Sequence, residues 1–324
     1  MTAVLAIDAG GTSTRALVVD GSGRCLGFGR SGSGNPISSG TELAAASLAG
    51  SGLAALTTAG VAPGDVAVVL LAVAGAGTGA HRDELVGRLA DAGLTVPPVF
   101  ASDLLATFCA GTHLTSGYAV IAGTGAAAIR IEDGQQVGVA DGLGWLLGDE
   151  GSGFWIGQRV ARAALADLDG RGPATSMTAA LWARLDVAAG LSPRKAAEAV
   201  TRSLYEVRPV RLADLAVLAF EAAGDPVADA IVADAAQGLA TSLRAVTTSG
   251  VDGPVVLGGG VLGRSPALRD ALLTAYAGEG PAPQPVVVDD GTVGAAVLAL
   301  RQAGIAVDEP LFRDLARSVA GAST

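Results

Sequence analysis

Apolar positions in the first third of the chain fall into short runs set apart by glycine and polar turns. From Ala6 to Asp20 two such runs flank Asp8-Ala9-Gly10-Gly11-Thr12-Ser13-Thr14-Arg15, which predicts a β-hairpin. The Gly10-Gly11 pair is expected to turn with positive φ, letting the backbone approach a ligand without a Cβ in the way. Arg24 to Gly29 predicts a third strand, and Ser31-Gly32-Ser33-Gly34-Asn35-Pro36 an irregular loop. Thr41 is expected to cap a helix reaching Thr58, with Leu43, Leu48 and Leu53 on its apolar side. Val66 to Val73 is unbroken apolar sequence, the pattern of a strand buried on both faces, and it ends in Ala74-Gly75-Ala76-Gly77. His81 to Ala92 has helical spacing, Pro97 to Ala101 reads as a short strand, and Ser102-Asp103 as a helix start.

The same order then begins again. Tyr118 to Ala122, a Gly123-Thr124-Gly125 turn and Ala126 to Ile131 predict a second hairpin, with Gln135 to Val139 as its third strand. From Gly153 the period becomes helical through Ala163, Met177 to Leu185, Pro193 to Leu204, Arg211 to Ala223 and Pro226 to Thr248. Pro254 to Leu257 predicts a buried strand running into Gly258-Gly259-Gly260. Val286 to Val288 is the last strand, and Gly291 to Ala303 and Leu311 to Val319 are closing helices. The chain is therefore expected to be an internally duplicated α/β protein with mixed sheets.

Length suits two domains: 324 residues, half of them apolar, can bury two cores. With 47 glycines and few aromatics, close backbone packing is expected in place of bulky side-chain cores. The net charge of −10 argues against a nucleic acid or an anionic membrane as partner. Any phosphate bound here must be held by backbone N–H groups and a metal ion. Cys25 and Cys109, with no Cys-x-x-Cys spacing, exclude a disulfide framework, a zinc knot and an iron–sulfur site. The uncharged stretches Leu43 to Gly64 and Leu104 to Ile129 are interrupted by Gly, Ser and Thr, so they read as core elements and not as membrane spans. With no basic segment at the N-terminus, a cytoplasmic location is expected.

In the first hairpin, successive N–H groups form an anion-binding concavity, Thr12 and Thr14 add hydroxyls, and Asp8 stands where a phosphate-bound cation needs an oxygen ligand. An ordinary Asp/Gly turn would have the same composition. Ser102-Asp103 has two readings as well: a plain helix N-cap, or a carboxylate aimed at a cleft.

Asp8-Ala9-Gly10-Gly11-Thr12, Ser102-Asp103, Ala122-Gly123-Thr124-Gly125 and above all the block from Gly144 to Gly157, Gly-Trp-Leu-Leu-Gly-Asp-Glu-Gly-Ser-Gly-Phe-Trp-Ile-Gly, resemble the N-acetylglucosamine kinase branch grouped with the BadF/BadG/BcrA/BcrD ATPases. That branch lies within the superfamily of sugar kinases, heat-shock chaperone ATPases and actin. The resemblance covers essentially the whole chain. It implies two duplicated RNase H-like domains, residues 1–115 completed by a C-terminal helix at 305–324, and residues 116–304, with the nucleotide in the cleft between them.

The resemblance further implies an ATP-dependent amino-sugar kinase that transfers the γ-phosphate to the 6-hydroxyl of N-acetylglucosamine, with glucosamine kinase as the alternative. Asp103 would be the base. Gly10, Gly11, Thr12, Thr14, Gly123, Thr124 and Gly125 would cradle the phosphates, with Gly258, Gly259 and Gly260 against adenosine and Asp8 on Mg2+ through water. Asn35, Asp103, Gly144, Asp149 and Glu150 would bind the sugar, and a homodimer is compatible. Many members of the branch carry Trp where this chain has Leu143, which bears on the pocket wall near the 2-substituent. A non-catalytic sugar sensor on the same fold is the rival, disfavoured by the presence of Asp103, and a dehydratase activator by the lack of paired cysteines. His81 and His113 are read as surface or turn residues.

Overall fold

The computed structural model describes residues 2–73, 79–188, 190–277 and 284–322, without the side chains of 37, 38 and 79–81. The expected Ala74 to Gly77 turn and the His81 side chain lie outside the described residues. In chain order the first half comprises β1 (Ala3–Ala9), β2 (Thr14–Asp20), β3 (Cys25–Ser31), α1 (Pro36–Ser39), α2 (Thr41–Ala59), β4 (Val68–Val73), α3 (Gly79–Asp91), β5 (Pro98–Ala101) and α4 (Asp103–Gly111). There follow β6 (Gly117–Ala122), β7 (Ala126–Glu132), β8 (Gln135–Asp141), α5 (Gly153–Asp169), α6 (Met177–Arg184) and α7 (Pro193–Tyr205). A 3-10 helix (Pro209–Leu215) leads into α8 (Ala216–Glu221) and α9 (Pro226–Val246). Last come β9 (Val255–Gly258), α10 (Gly260–Arg264), α11 (Pro266–Ala277), β10 (Val286–Val287), α12 (Thr292–Gln302) and α13 (Glu309–Ala322).

The expected duplication is present in the topology. One five-stranded sheet has the order β3-β2-β1-β4-β5 and the other β10-β9-β6-β7-β8, the same arrangement read from opposite edges. In each, an antiparallel meander of three strands is followed by two parallel strands, so both sheets are mixed as the sequence predicts.

The period-two alternation of β1 and β2 assigns each residue to a layer. Leu5, Ile7, Ala16 and Val18 face α2 and α3 on the outside of the first sheet. Val4, Ala6, Leu17 and Val19 face inward, where they meet Ala106 and Phe108 of α4, Ala295 to Leu300 of α12, and Ala119, Ile129 and Val256 of the second sheet. The outer face of the second sheet is covered by the helices of residues 153–277. Thus α4 and α12 lie side by side between the sheets. Their backbones touch closely, because a Cβ on Gly294 would lie 1.7 Å from the Ala106 carbonyl oxygen.

Several boundaries differ from the sequence expectation. Thr41 does not cap α2; the cap is Gly40, at φ 88° and ψ 152°, and Thr41 is the first helical residue. The stretch from Arg211 to Ala223 is a 3-10 helix followed by a short α-helix, not one helix. Pro36 ends the expected irregular loop by opening α1. Gly10 and Gly11 do not take the positive φ expected of them; the reversal is closed instead by Gly10 N–H donating to Ser13 O at 3.0 Å. Among the described residues no helix is long and apolar enough to cross a membrane.

Candidate active site

The C-terminal ends of the parallel strands carry the glycine turns, and in open α/β sheets ligands collect at those ends. Asp8 continues the inward row Val4, Ala6, so alternation alone aims it at α4 and α12. Its Oδ2 accepts the Gly291 N–H at 3.1 Å, just before α12 begins. Burial raises the Asp8 carboxyl to about 7, helped by the negative charges of Asp290 and Asp103 and opposed by the Gly291 N–H and Arg15. Asp8 and Asp103 therefore lie within electrostatic reach of each other, although the chain separates them by most of the first half.

Asp103 opens α4, but it is not the cap. Ser102 Oγ accepts the Leu104 N–H at 3.2 Å, so of the two residues Ser102 is the cap. The Asp103 carboxyl is half-buried and raised by burial to about 6, with the N–H groups of Leu104 and Asp103 itself pulling the other way. The entry to α12 thus meets the Asp8 carboxylate through the Gly291 N–H, and helix N-termini favour anions.

Around the first hairpin the expected residues divide. Thr12 is exposed at the tip, beside half-buried Gly10 and Gly11. Thr14 is not available to a ligand: it is fully buried and its hydroxyl donates to Gly32 O at 2.8 Å. With the Gly34 N–H bonded to Gly10 O at 3.2 Å, this straps the loop that carries Asn35 onto the hairpin. Gly34 has to be glycine there, since a Cβ would come within 2.7 Å of the Ala9 Cβ.

The second turn is fastened from two sides. Gly123 and Thr124 carbonyls accept the N–H groups of Gly153 and Phe154 at 2.8 and 3.2 Å, docking the start of α5, whose cap is Ser152. Gly259, at φ 89°, lies so close to the end of β6 that a Cβ would sit 2.5 Å from Ala122 O. Gly123 to Gly125 and Gly258 to Gly260 accordingly form one continuous backbone surface.

Asp149 is buried, and its Oδ1 accepts the Ala126 N–H at 3.2 Å, so it supports the second turn from behind instead of lining an open site as expected. Burial raises its carboxyl, and the charge of Asp141 adds to this. Sequence reading missed Asp141, which receives the Asp149 and Glu150 N–H groups at 2.7 and 2.8 Å and fixes the acidic block. Glu150 is exposed and passes along α9 at Gly238, while Gly144, at φ 82°, keeps open space on its Cα. Leu143 is exposed, as are Leu146 and Leu147. Also missed were Arg15, Asp290 and Gly291; nothing local marks residues whose partners are 283 positions away, as Gly291 is from Asp8. His113, as expected, is a turn residue, with its carbonyl accepting Arg301 Nη2 at 2.7 Å.

Among the described residues no group of three or more His, Cys, Asp or Glu is arranged to hold a metal ion directly. Asp8 offers a hard oxygen ligand at the hairpin, and the crowding of Asp8, Asp103 and Asp290 is a field that a divalent cation relieves. Magnesium held through water by one carboxylate fits these residues.

The chain is 28% identical over 317 residues to an N-acetyl-D-glucosamine kinase of Dictyostelium discoideum, an alignment that covers 91% of this chain and 97% of the relative. It is 34% identical over 176 residues to glucosamine kinase GspK of Vibrio cholerae, covering 53% and 57% of the two chains. Its fold matches the solved structure of a candidate N-acetylglucosamine kinase from Chromobacterium violaceum with a TM-score of 0.71 and 28% identity, over 93% of this chain and 99% of that one. The model of the BadF/BadG/BcrA/BcrD ATPase family matches residues 5–299, and the chain belongs to that family.

Proposed function

We propose that the protein is an ATP-dependent amino-sugar kinase that transfers the γ-phosphoryl group of ATP to the 6-hydroxyl of N-acetylglucosamine. The observation that carries this is Asp103: with Ser102 as the cap of α4, half-buried and raised to about 6, it is ionised at neutral pH yet basic enough to take a hydroxyl proton. The sugar O6 attacks the γ-phosphorus, the bond from phosphorus to the bridging oxygen breaks, ADP leaves, and the O6 proton passes to the Asp103 carboxylate. Positioning and electrostatics do most of the work in such transfers. The backbone at Gly10 and Gly11 with the Thr12 hydroxyl serves one side of the phosphates, and Gly123, Thr124 and Gly125 the other. The flat turn at Gly258, Gly259 and Gly260 lies along adenosine. Asp8 would hold Mg2+ through water, and that ion would supply neutralisation of charge on the transferred phosphoryl group.

Asn35 and Glu150 supply the polar groups for the sugar hydroxyls, with Gly144 leaving room and Asp149 supporting the block from behind. Residues 1–115 with 305–324 form one half and 116–304 the other, α12 reaching across to the first sheet, and the halves close on the sugar to keep water from the γ-phosphate. The partial similarity to a glucosamine kinase supports a second reading in which the free amino sugar is the acceptor. Assaying N-acetylglucosamine, glucosamine and N-acetylmannosamine with ATP, as kcat/KM for each, distinguishes them. Turnover on none of the three would overturn the proposal.

A further inference from the structure

The mouth of the site contains a closed ring of contacts that the proposed roles leave unused. Asp8 and Arg15 are directly opposed cross-strand partners on β1 and β2. Arg15 does not turn to Asp8, however: its Nε lies 3.4 Å from Asp290 Oδ2, while its Nη1 donates to Ser13 Oγ at 3.1 Å. The other oxygen of Asp290 accepts the Thr292 N–H at 2.9 Å, which shapes the entry to α12. The residue between them, Gly291, donates its N–H to Asp8 Oδ2 and leaves no space for a side chain, since a Cβ would lie 2.9 Å from Asp8 Oδ1. The Asp8 carboxylate is thereby held through Oδ2 by the backbone next to Asp290, with Oδ1 lying over the bare Cα of Gly291.

Stability gives little reason for the ion pair. Both side chains are 28% exposed, and pairs open to solvent in this way contribute little to folding. Nor is a charge needed merely to cap α12, since a neutral acceptor would serve the Thr292 N–H. What the charge adds is the direction of Asp290, and through it the placement of Gly291.

We propose that Asp290, held by Arg15, is a positioning residue of the phosphoryl-transfer site: the Arg15–Asp290 pair sets the entry to α12 so that the Gly291 N–H fixes the Asp8 carboxylate at the hairpin. This rests on the kinase reading.

The test uses the full-length protein and the variants Asp290→Asn, Arg15→Gln, Arg15→Lys and the double Arg15→Gln/Asp290→Asn. In Asp290→Asn the side-chain amide oxygen still accepts the Thr292 N–H but no longer forms an ion pair with the guanidinium, so a merely local structural role predicts wild-type kinetics. Positioning predicts that kcat falls roughly tenfold, the lower end for loss of a group that orients a ligand residue, with the KM for sugar unchanged. The Gly291 amide, followed by NMR hydrogen exchange in the nucleotide-free protein, should exchange faster in Asp290→Asn and Arg15→Gln. The double variant should be no worse than either single, since residues acting as one unit are not additive, and Arg15→Lys should recover part of the loss. Wild-type kcat in both single variants, or losses that multiply in the double, overturns the proposal. A wild-type protein that phosphorylates no sugar defeats the kinase reading instead. The brace is then decided by the Gly291 amide alone: faster exchange in both variants supports it, and unchanged exchange overturns it.

Discussion

Replacing Asp103 with Asn separates chemistry from structure, because Ser102 caps α4 and leaves Asp103 without that duty. In Asp103→Asn the amide oxygen still accepts the N–H groups of Leu104 and of residue 103, so α4 should start where it does now. Losing a general base costs about 10²- to 10⁴-fold in rate, which is about 2.7–5.4 kcal/mol of barrier. Stability should move the opposite way. A carboxyl raised from 3.8 to about 6 is harder to ionise in the folded protein than in the unfolded chain, at about 1.4 kcal/mol for each unit. Those two units give at most about 3 kcal/mol, and because the side chain keeps an accessible face the solvent-discounted figure is about 1 kcal/mol. The cost of ionising Asp103 is absent below pH 3.8 and complete above about 6, so Asp103→Asn should match wild type at pH 4 and melt higher at pH 7.5. Wild-type kcat/KM should fall as pH drops through about 7 and 6, where Asp8 and Asp103 take up protons, and the residual activity of the variant should keep only the Asp8 limb. The assay is a coupled ADP-release measurement from pH 5 to 8.5, with thermal melts at pH 4 and 7.5 and a sugar Kd by calorimetry. Near-wild-type kcat in Asp103→Asn, or an unchanged acid limb, refutes the assignment of the base.

Asp8→Asn keeps the acceptor for the Gly291 N–H but removes the negative charge, so kcat should drop about 10²-fold while ADP binding changes little; a Mg2+ titration of turnover checks it, and unchanged turnover removes Asp8 from the mechanism. Gly294→Ala places a Cβ within 1.7 Å of Ala106 O, forcing α4 and α12 apart, and should cost at least the ~1–3 kcal/mol of an overpacked core; a urea melt equal to wild type would contradict the crossing. Asp225 caps α9 through the Val227 and Ala228 N–H groups and also receives Thr175 Oγ and the Ser176 N–H and hydroxyl. Burial alone would raise its carboxyl, but the bonds from Ser176, Thr175 and Val227 outweigh it and hold it well below the ordinary range. Asp225→Ala should therefore cost about 2 kcal/mol at pH 7. The charge-dependent part of that gap should shrink as pH falls below 3.8 towards the folded value; a gap as large at pH 2 as at pH 7 would refute it.

The two hairpins, the unbroken apolar β4 and the helical second half are legible in the sequence because each is set by a local period. Asp8 is legible for the same reason: it stands two residues beyond Ala6 on a strand whose even positions face inward. Ser102-Asp103 is legible as a helix start, but not which of the two residues caps it. Thr14 is misread from the sequence because its neighbours there are the hairpin, whereas its hydroxyl partner, Gly32, enters only when the loop after β3 folds back. Asp149 is misread likewise: the block that contains it is recognisable, but whether a carboxylate faces a ligand or an Ala126 N–H depends on the packing of a separate turn.

By itself the sequence determined what needs only neighbours: strand and helix periods, the duplication, and the glycine turns at the strand ends. Tertiary structure decided what depends on closure over long loops. It brought Asp103 within reach of Asp8, set Gly291 against a carboxylate 283 residues away, and turned Arg15 from its cross-strand partner to Asp290. The physical reason is that periodicity fixes which face a side chain takes, whereas its partner is fixed only when α4 and α12 pack between the two sheets.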